Sequence, residues 1–101
     1  MGASGTAPHL FRIAQEGVRN AVRHGKARRI QIVLSHEGGD IALRVRDDGV
    51  GVPRAQPSNQ GLGLRIMAHR AMIIGASIAI ESPPDGGTLI VCRLPQPDQA
   101  P

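Results

Sequence analysis

Two runs of alternating residues, RIQIVLS and IALRVRD, stand on either side of HEGGD at residues 36–40. A period of two sends successive side chains to opposite faces of a sheet, so each run reads as a half-buried strand. The consecutive glycines between them supply the positive φ that a tight hairpin turn needs. The spacing predicts a hairpin with strands at about 28–36 and 40–47. One face of that hairpin is apolar, and the rest of the chain must cover it.

Helices are the available cover. From Pro8 onward, Leu10, Ile13, Ala14, Gly17, Val18, Ala21 and Val22 recur at steps of three and four, an apolar stripe on one helix that includes FRIAQEGVRNAVRHG. Pro8 suits its first turn and Gly25 the left-handed position after its last. Gly17 within it costs about 1 kcal/mol relative to alanine, which implies packing or a close backbone approach at that point. A second helix opens at GLGLRIMAHRAMIIG, with Leu64, Met67, Ala68, Ala71, Met72 and Ile74 at helical spacing and Gly75 as its cap. ASIAIES and TLIVCRL read as two more strands around the turn PPDGG. Residues 52–60 hold two prolines and no period, the mark of a loop. The order is helix, two strands, loop, helix, two strands. It predicts an α+β fold, a two-layer α/β sandwich with two helices on one face of a mixed, mostly antiparallel sheet. Residues 8–95 form the one domain, with 1–7 disordered or extraneous to it and 96–101 a disordered tail.

Composition narrows the partners. At 101 residues the chain makes one small domain that buries roughly 60–65% of its unfolded surface. Phe11 is its only aromatic residue, so the stacking platform of single-strand nucleic-acid binders is absent. The net charge is +4 and the pI about 11. The arginines are scattered rather than blocked, and no direct nucleic-acid contact is expected. A single cysteine, Cys92, excludes an internal disulfide and cysteine-rich zinc sites; in its apolar run it reads as a small buried hydrophobe. No apolar run reaches the ~18 residues of a membrane span and no signal peptide is visible, so the expectation is a cytoplasmic domain without membrane contact.

Three stretches carry chemistry. Along the first helix, Glu16, Asn20 and His24 stand one turn apart beside the apolar stripe, with Arg12, Arg19 and Arg23 on the solvated side. Such a row is either the polar boundary of a surface helix or a ligand edge, with a carboxylate as base and an amide oxygen as a hard ligand for magnesium. VRDDGVG places an acid at a strand end before Gly49 and Gly51, either a tight turn or a place where backbone approaches a ligand. NQGLGLRIM puts Gly-x-Gly at a helix start, where N–H groups and the positive end of the dipole favour an anion. It is neither the dinucleotide-binding G-x-G-x-x-G, because residue 66 is Ile, nor a Walker loop.

Taken together and in this order, QEGVRNAVRHG (15–25), DDGVG (47–51), GLGLRIMAHRA (61–71) and a GGT before the last strand resemble the ATP-binding domain of sensor histidine kinases. The likeness is greatest to the nitrate-sensor-like subfamily, whose response regulators bind DNA, within the gyrase, chaperone, histidine-kinase and mismatch-repair ATPases. It covers roughly residues 8–95. It implies a Bergerat-type ATPase fold with ATP and Mg2+ as cofactors. In that family's terms Asn20 would hold the magnesium, and Asp47 would accept a hydrogen bond from the adenine amino group, with Thr88 supporting that end. Gly49 and Gly51 would let backbone pass the base. Gly61, Leu62, Gly63 and Leu64 would bring N–H groups to the phosphates. Glu16 would be the catalytic base or orienting carboxylate, and Arg23 and His24 further phosphate contacts, although His24 fits a helix C-terminus equally well. Residues 52–60 become a nucleotide lid. The implied partners are a histidine-containing dimerisation domain, which receives the γ-phosphate, and through it a response regulator; the parent kinase could be membrane-anchored.

The chain departs from the family pattern in four ways. Only about seven residues precede the first helix, so the sheet is expected to lack one edge strand. Gly17 stands where alanine is preferred and His69 where an acid is common. No helical segment with a phosphoacceptor histidine is present, and His9, His36 and His69 are not in that setting. Two rival readings share the site. One is an anti-sigma-factor serine kinase, against which QE before Asn20 and LRIMAHRA after the glycines count. The other is a non-catalytic ATP-sensing module.

Overall fold

The computed structural model describes residues 6–23, 26–50 and 64–95. Two helices, α1 (Ala7–Arg23) and α2 (Leu64–Ile73), accompany four strands, β1 (Ile30–Glu37), β2 (Asp40–Asp47), β3 (Ser77–Glu81) and β4 (Thr88–Pro95). The strands form one sheet in the order β1-β2-β4-β3, and every ladder in it is antiparallel. With both helices on one face, this is the expected two-layer α+β sandwich. The parallel pairing allowed for in a mixed sheet is not found among the described residues.

The hairpin turn is Gly38-Gly39, with φ of 59° and 90°. Two consecutive positive φ values are those of a type I′ turn, whose twist matches the two strands. It sets Glu37 opposite Asp40 and Ile30 opposite Asp47. Strand β1 begins two residues later than the alternation suggested. The backbone N–H groups of Arg28 and Arg29 donate to Asp48 Oδ1 at 2.8 and 2.9 Å, so these N–H groups are held by a side chain and not by the ladder.

Register divides the sheet cleanly. Ile30, Ile32 and Leu34 share the helix-covered face with Leu43, Val45, Asp47, Thr88, Ile90 and Cys92. The opposite face carries Ser35, Glu37, Asp40, Arg44 and Arg93. There Glu37 accepts from Arg44 at 2.5 Å, Arg93 at 3.0 Å and Ser35 at 2.8 Å. These bonds hold the Glu37 carboxyl down at about 2, against an ordinary 4.5, the Arg44 contact contributing most.

Between the layers lie Ile13, Leu43, Val45, Met67, Ala71, Ile90 and Cys92. Ile13 and Met67 are fully buried, each worth about 1.5–3 kcal/mol on the scale of transfer from water. Cys92 is fully buried too, as its apolar run implied. Gly17 lies where α1 comes nearest the sheet: a Cβ there would meet Val45 Cγ1 and Ile90 Cδ1, both at 3.1 Å. Close packing accounts for a glycine in mid-helix. Three members of the expected stripes are exposed instead, namely Val22, Ala68 and Met72. On an ideal helix Val22 and Met72 each sit 100° round from the buried Ala21 and Ala71, past the edge of the covered stripe.

The two helices run in opposite directions. α1 ends, β1 starts, β2 ends and β4 starts at one end of the sheet, where Asp48 N–H donates to Arg29 O at 3.2 Å. α2 leads through Gly75 and Ala76 into β3, whose first residue pairs with Arg93 near the end of β4. Its own start therefore lies at the end where α1 finishes.

Candidate functional site

Four elements bring sequence-predicted residues to that shared end. From α1 come Glu16, Asn20 and Arg23. From the end of β2 come Asp47 and, just after it, Gly49. Thr88 is the first residue of β4 and Leu64 the first of α2. His24, Gly51, Gly61, Leu62 and Gly63, with the expected lid at 52–60, lie outside the described residues.

Asp47 and Thr88 are the tightest of these associations. They face each other in the β2–β4 register, and each is only 7% exposed. Both side chains project to the helix-covered face, continuing the row of Val45 and Ile90. Asp47 Oδ1 accepts the N–H of Gly49 at 2.7 Å, a local turn that fixes the carboxylate and spends one of its oxygens. The adjacent carboxyl serves differently. Asp48 points away and clamps the N–H groups of Arg29 and Arg28, which lower its pKa below the usual range. Sequence reasoning assigned no role to Asp48. The signal was present: neighbouring residues at a strand end face opposite ways, so only one Asp of the pair can point at a ligand.

A further residue was passed over, although it belongs to the GGT run. Gly87 has φ of 82°, and a Cβ built on it would lie 2.0 Å from the Asp47 carbonyl oxygen. The turn before β4 thus packs directly on the end of β2, and no side chain fits between them.

On α1, Glu16 is 6% exposed, and the structure holds no hydrogen-bond partner for it among the described residues. It is more deeply set than the boundary position its spacing suggested. Asn20, one turn on, is half-buried and similarly unpartnered, while Arg23 is exposed. His9, on the same side of α1, lies 3.3 Å through Nδ1 from Arg70 of α2. That contact directs the Glu16–Asn20 row toward α2, since residues 9, 13, 16 and 20 share a helix face. A buried carboxylate and a half-buried amide, neither with a partner among the described residues, are what a hard, oxygen-seeking cation and its attached anion would satisfy. The residues therefore fit magnesium. The start of α2 adds N–H groups with no intrahelical partner.

An open depression of about 640 Å³ borders the same end, lined by Arg28, Arg29, Ile30, Gln31, Arg46, Asp47, Asp48, Asp85 and Gly86. Of the predicted residues that are described, only Asp47 touches it. Arg46 binds Asp85 at 3.0 Å within its lining, and no described residue of α1 borders it, so it is not the crevice expected between α1 and the glycine turns.

Residues 5–98 match the family model described as histidine kinase-, DNA gyrase B-, and HSP90-like ATPase. The chain is 40% identical over 91 residues to the sensor protein VraS of Staphylococcus saprophyticus and 37% identical to that of Staphylococcus aureus. Each alignment takes in 90% of this chain and 26% of the relative, so the chain spans about a quarter of the curated relatives it matches. Among solved structures it resembles the ATP binding domain of PrrB from Mycobacterium tuberculosis, with a TM-score of 0.75 and 29% identity over 90% of this chain and 69% of that one. It also resembles the histidine kinase domain of the Erythrobacter litoralis EL346 blue-light activated kinase, with a TM-score of 0.77 and 26% identity over 90% and 45%. No helix among the described residues is long and apolar enough to cross a membrane.

Proposed function

The chain belongs to the histidine kinase-, DNA gyrase B- and HSP90-like ATPases, and from that premise we propose that it binds Mg-ATP as the catalytic domain of a two-component sensor kinase. Its γ-phosphate goes to a histidine on a separate dimerisation domain, for relay to a response regulator. The observation that carries this reading is the paired, buried Asp47 and Thr88 at the end of the sheet where α1 brings Glu16 and Asn20. Asp47 uses one oxygen on Gly49 N–H and offers the other to the exocyclic amino group of adenine. Thr88 supports it from the facing strand. Asn20 holds magnesium through its amide oxygen; bound there, the ion neutralises charge on the phosphates. The start of α2 at Leu64 and the glycines before it, Gly61 and Gly63 with Leu62 between, turn N–H groups toward the phosphates. Gly49 and Gly51 keep the path of the base clear, and Arg23 and His24 reach the outer phosphates. Glu16, with no hydrogen-bond partner among the described residues, orients or deprotonates the attacking imidazole. Phosphoryl transfer asks mainly for such positioning and charge balance.

The test is a thermal shift with ATP, ADP and GTP, with and without magnesium, on the wild type and Asp47→Asn. Ligand that binds only the folded state raises Tm by mass action. Wild type should respond to adenine nucleotides, most with magnesium, and Asp47→Asn should lose most of that response. No response to any adenine nucleotide refutes binding. An equal loss of ATP and GTP response in the variant refutes the role of Asp47.

A further inference from the structure

Asp48 turns its side chain away from the adenine end of the site, and its bonds lead to the other end. Asp48 Oδ1 accepts the N–H groups of Arg28 and Arg29 at 2.8 and 2.9 Å, and Asp48 N–H donates to Arg29 O at 3.2 Å. The connection so held is also fastened to α1, because Ala27 N–H donates to Ala21 O at 2.9 Å. Just before it, Lys26 takes φ of 52°, a left-handed conformation uncommon for a residue with a Cβ. Such a conformation persists where its surroundings hold it. Ala21 is buried and follows Asn20 directly, and Asp48 follows Asp47 directly. A short run of hydrogen bonds therefore joins the neighbour of the magnesium-binding amide to the neighbour of the adenine-binding carboxylate. Hydrogen bonds to a carboxylate are the strong kind, and the two donors hold the Asp48 pKa below the usual range.

We propose that Asp48 is a positioning residue, whose clamp on Arg28 and Arg29 sets the separation of Asn20 from Asp47 so that one Mg-ATP reaches both. The inference rests on the nucleotide reading above. The adenine end has supports of its own: Asp47 faces Thr88 across the ladder and accepts the N–H of Gly49. The phosphate end at α2 is likewise anchored separately, by the fully buried Met67 and by Ala76 N–H, which donates to Ala71 O at 2.8 Å. Helix α1 is seated on the sheet at Gly17, against Val45 and Ile90. Asn20 lies nearly a turn beyond that seat, toward the helix end. The β1–β2 ladder takes hold only at Ile30. Before it, the hydrogen bonds that tie the connection to the sheet among the described residues all go to Asp48. Loss of this carboxylate therefore releases the end of α1 while the base-binding end stays in place. The contribution of magnesium to binding falls, and that of the base does not.

Calorimetric titration with ATP, in EDTA and then in magnesium, gives for each protein the factor by which the metal tightens ATP. In Asp48→Ala that factor should shrink about tenfold or more, the scale of a misplaced binding group, while metal-free ATP affinity stays close to that of wild type. Both titrations use the same folded protein, so a loss of stability alone leaves the factor unmoved. Asp48→Asn keeps an acceptor oxygen at the same reach and should restore the factor to within about threefold of wild type. Where Asp48→Ala does not fold, Asp48→Glu makes the same comparison, since it keeps the charge but sets the oxygens one bond farther out. Amide exchange without ligand reads the clamp directly: the Arg28 and Arg29 N–H groups should be protected in wild type and Asp48→Asn and lose protection in Asp48→Ala. A wild-type factor in Asp48→Ala, an equal loss with and without the metal, an Asp48→Asn as impaired as Asp48→Ala, or unprotected Arg28 and Arg29 amides in wild type each overturns the proposal. A wild type that takes up no ATP, or takes it up equally without magnesium, sinks the nucleotide reading and this inference with it. Variants that fail these expectations beside a wild type that responds to magnesium sink this inference alone.

Discussion

Gly87→Ala joins the fold to the site, and its cost can be worked out beforehand. The added methyl carbon would start 2.0 Å from the Asp47 carbonyl oxygen, 2.9 Å from that carbonyl's carbon and 3.1 Å from Asp48 Cα. All three are backbone atoms, so no side chain can rotate away. A relaxed carbon–oxygen contact is more than 1 Å longer, and the gap must come from separating the start of β4 from the end of β2. The Asp47–Thr88 pair ends that ladder and would open first. An L side chain at φ of 82° costs about 1–2 kcal/mol by itself, and each ladder hydrogen bond lost adds about 1 kcal/mol. The total comes to about 2–4 kcal/mol. The control is its neighbour. Gly86 has φ of 99°, yet a Cβ there meets nothing within 4 Å, so Gly86→Ala carries only the conformational cost of about 1–2 kcal/mol. Urea denaturation measures both. With a slope of about 1 kcal/mol/M for a small domain, Gly87→Ala should lower the midpoint by about 2–4 M and Gly86→Ala by about 1–2 M. Below its own midpoint, Gly87→Ala should also lose response to ATP, since Asp47 and Thr88 no longer face each other. Equal losses for the two glycines would refute the contact as the cause.

Asn20→Ala should leave the urea midpoint within about 0.5 M of wild type, because Asn20 is half-buried, without a partner among the described residues, and a poorer helix former than alanine; calorimetric titration should find Mg-ATP affinity down at least tenfold, and unchanged affinity would remove Asn20 from the site. Glu16→Gln keeps shape and should keep nucleotide binding, but radiolabel transfer from ATP to an added kinase dimerisation domain should fall at least a hundredfold, a loss of the size general-base catalysis supplies. Acid should destabilise the fold through Glu37. Its folded pKa of about 2 lies below the ordinary 4.5, so its contribution is full above pH 4.5 and drains away as pH falls from there toward 2. Asp48, lowered by two backbone N–H donors, adds to the same slope. Glu37→Gln should flatten the fall in urea midpoint between pH 5 and pH 3; an unaltered slope would refute the assignment.

How much of this could be read from residues alone follows from the range over which each signal acts. The hairpin was legible because period two and a Gly-Gly turn are local, and Gly38 and Gly39 adopt the φ values that pattern requires. The direction of Asp47 was legible for the same reason, through alternation with Val45. What a neighbour does to a residue is a different kind of fact. Glu16 reads as a boundary residue on its own helix, and its burial comes with α2 alongside α1, 50 residues on in the chain. Gly87 reads as an ordinary turn glycine, and its necessity lies in the end of β2, 40 residues away. The alternation of β1 says that one face is apolar but is silent on whether a helix covers it, and Ile32 and Leu34 are left exposed. The residues whose roles were missed or understated therefore sit where distant elements meet. In this chain those meetings are also where the nucleotide would lie. That coincidence has a physical source, because a ligand or partner needs polar or apolar groups that no single element satisfies, and only the junction of several elements leaves such groups over.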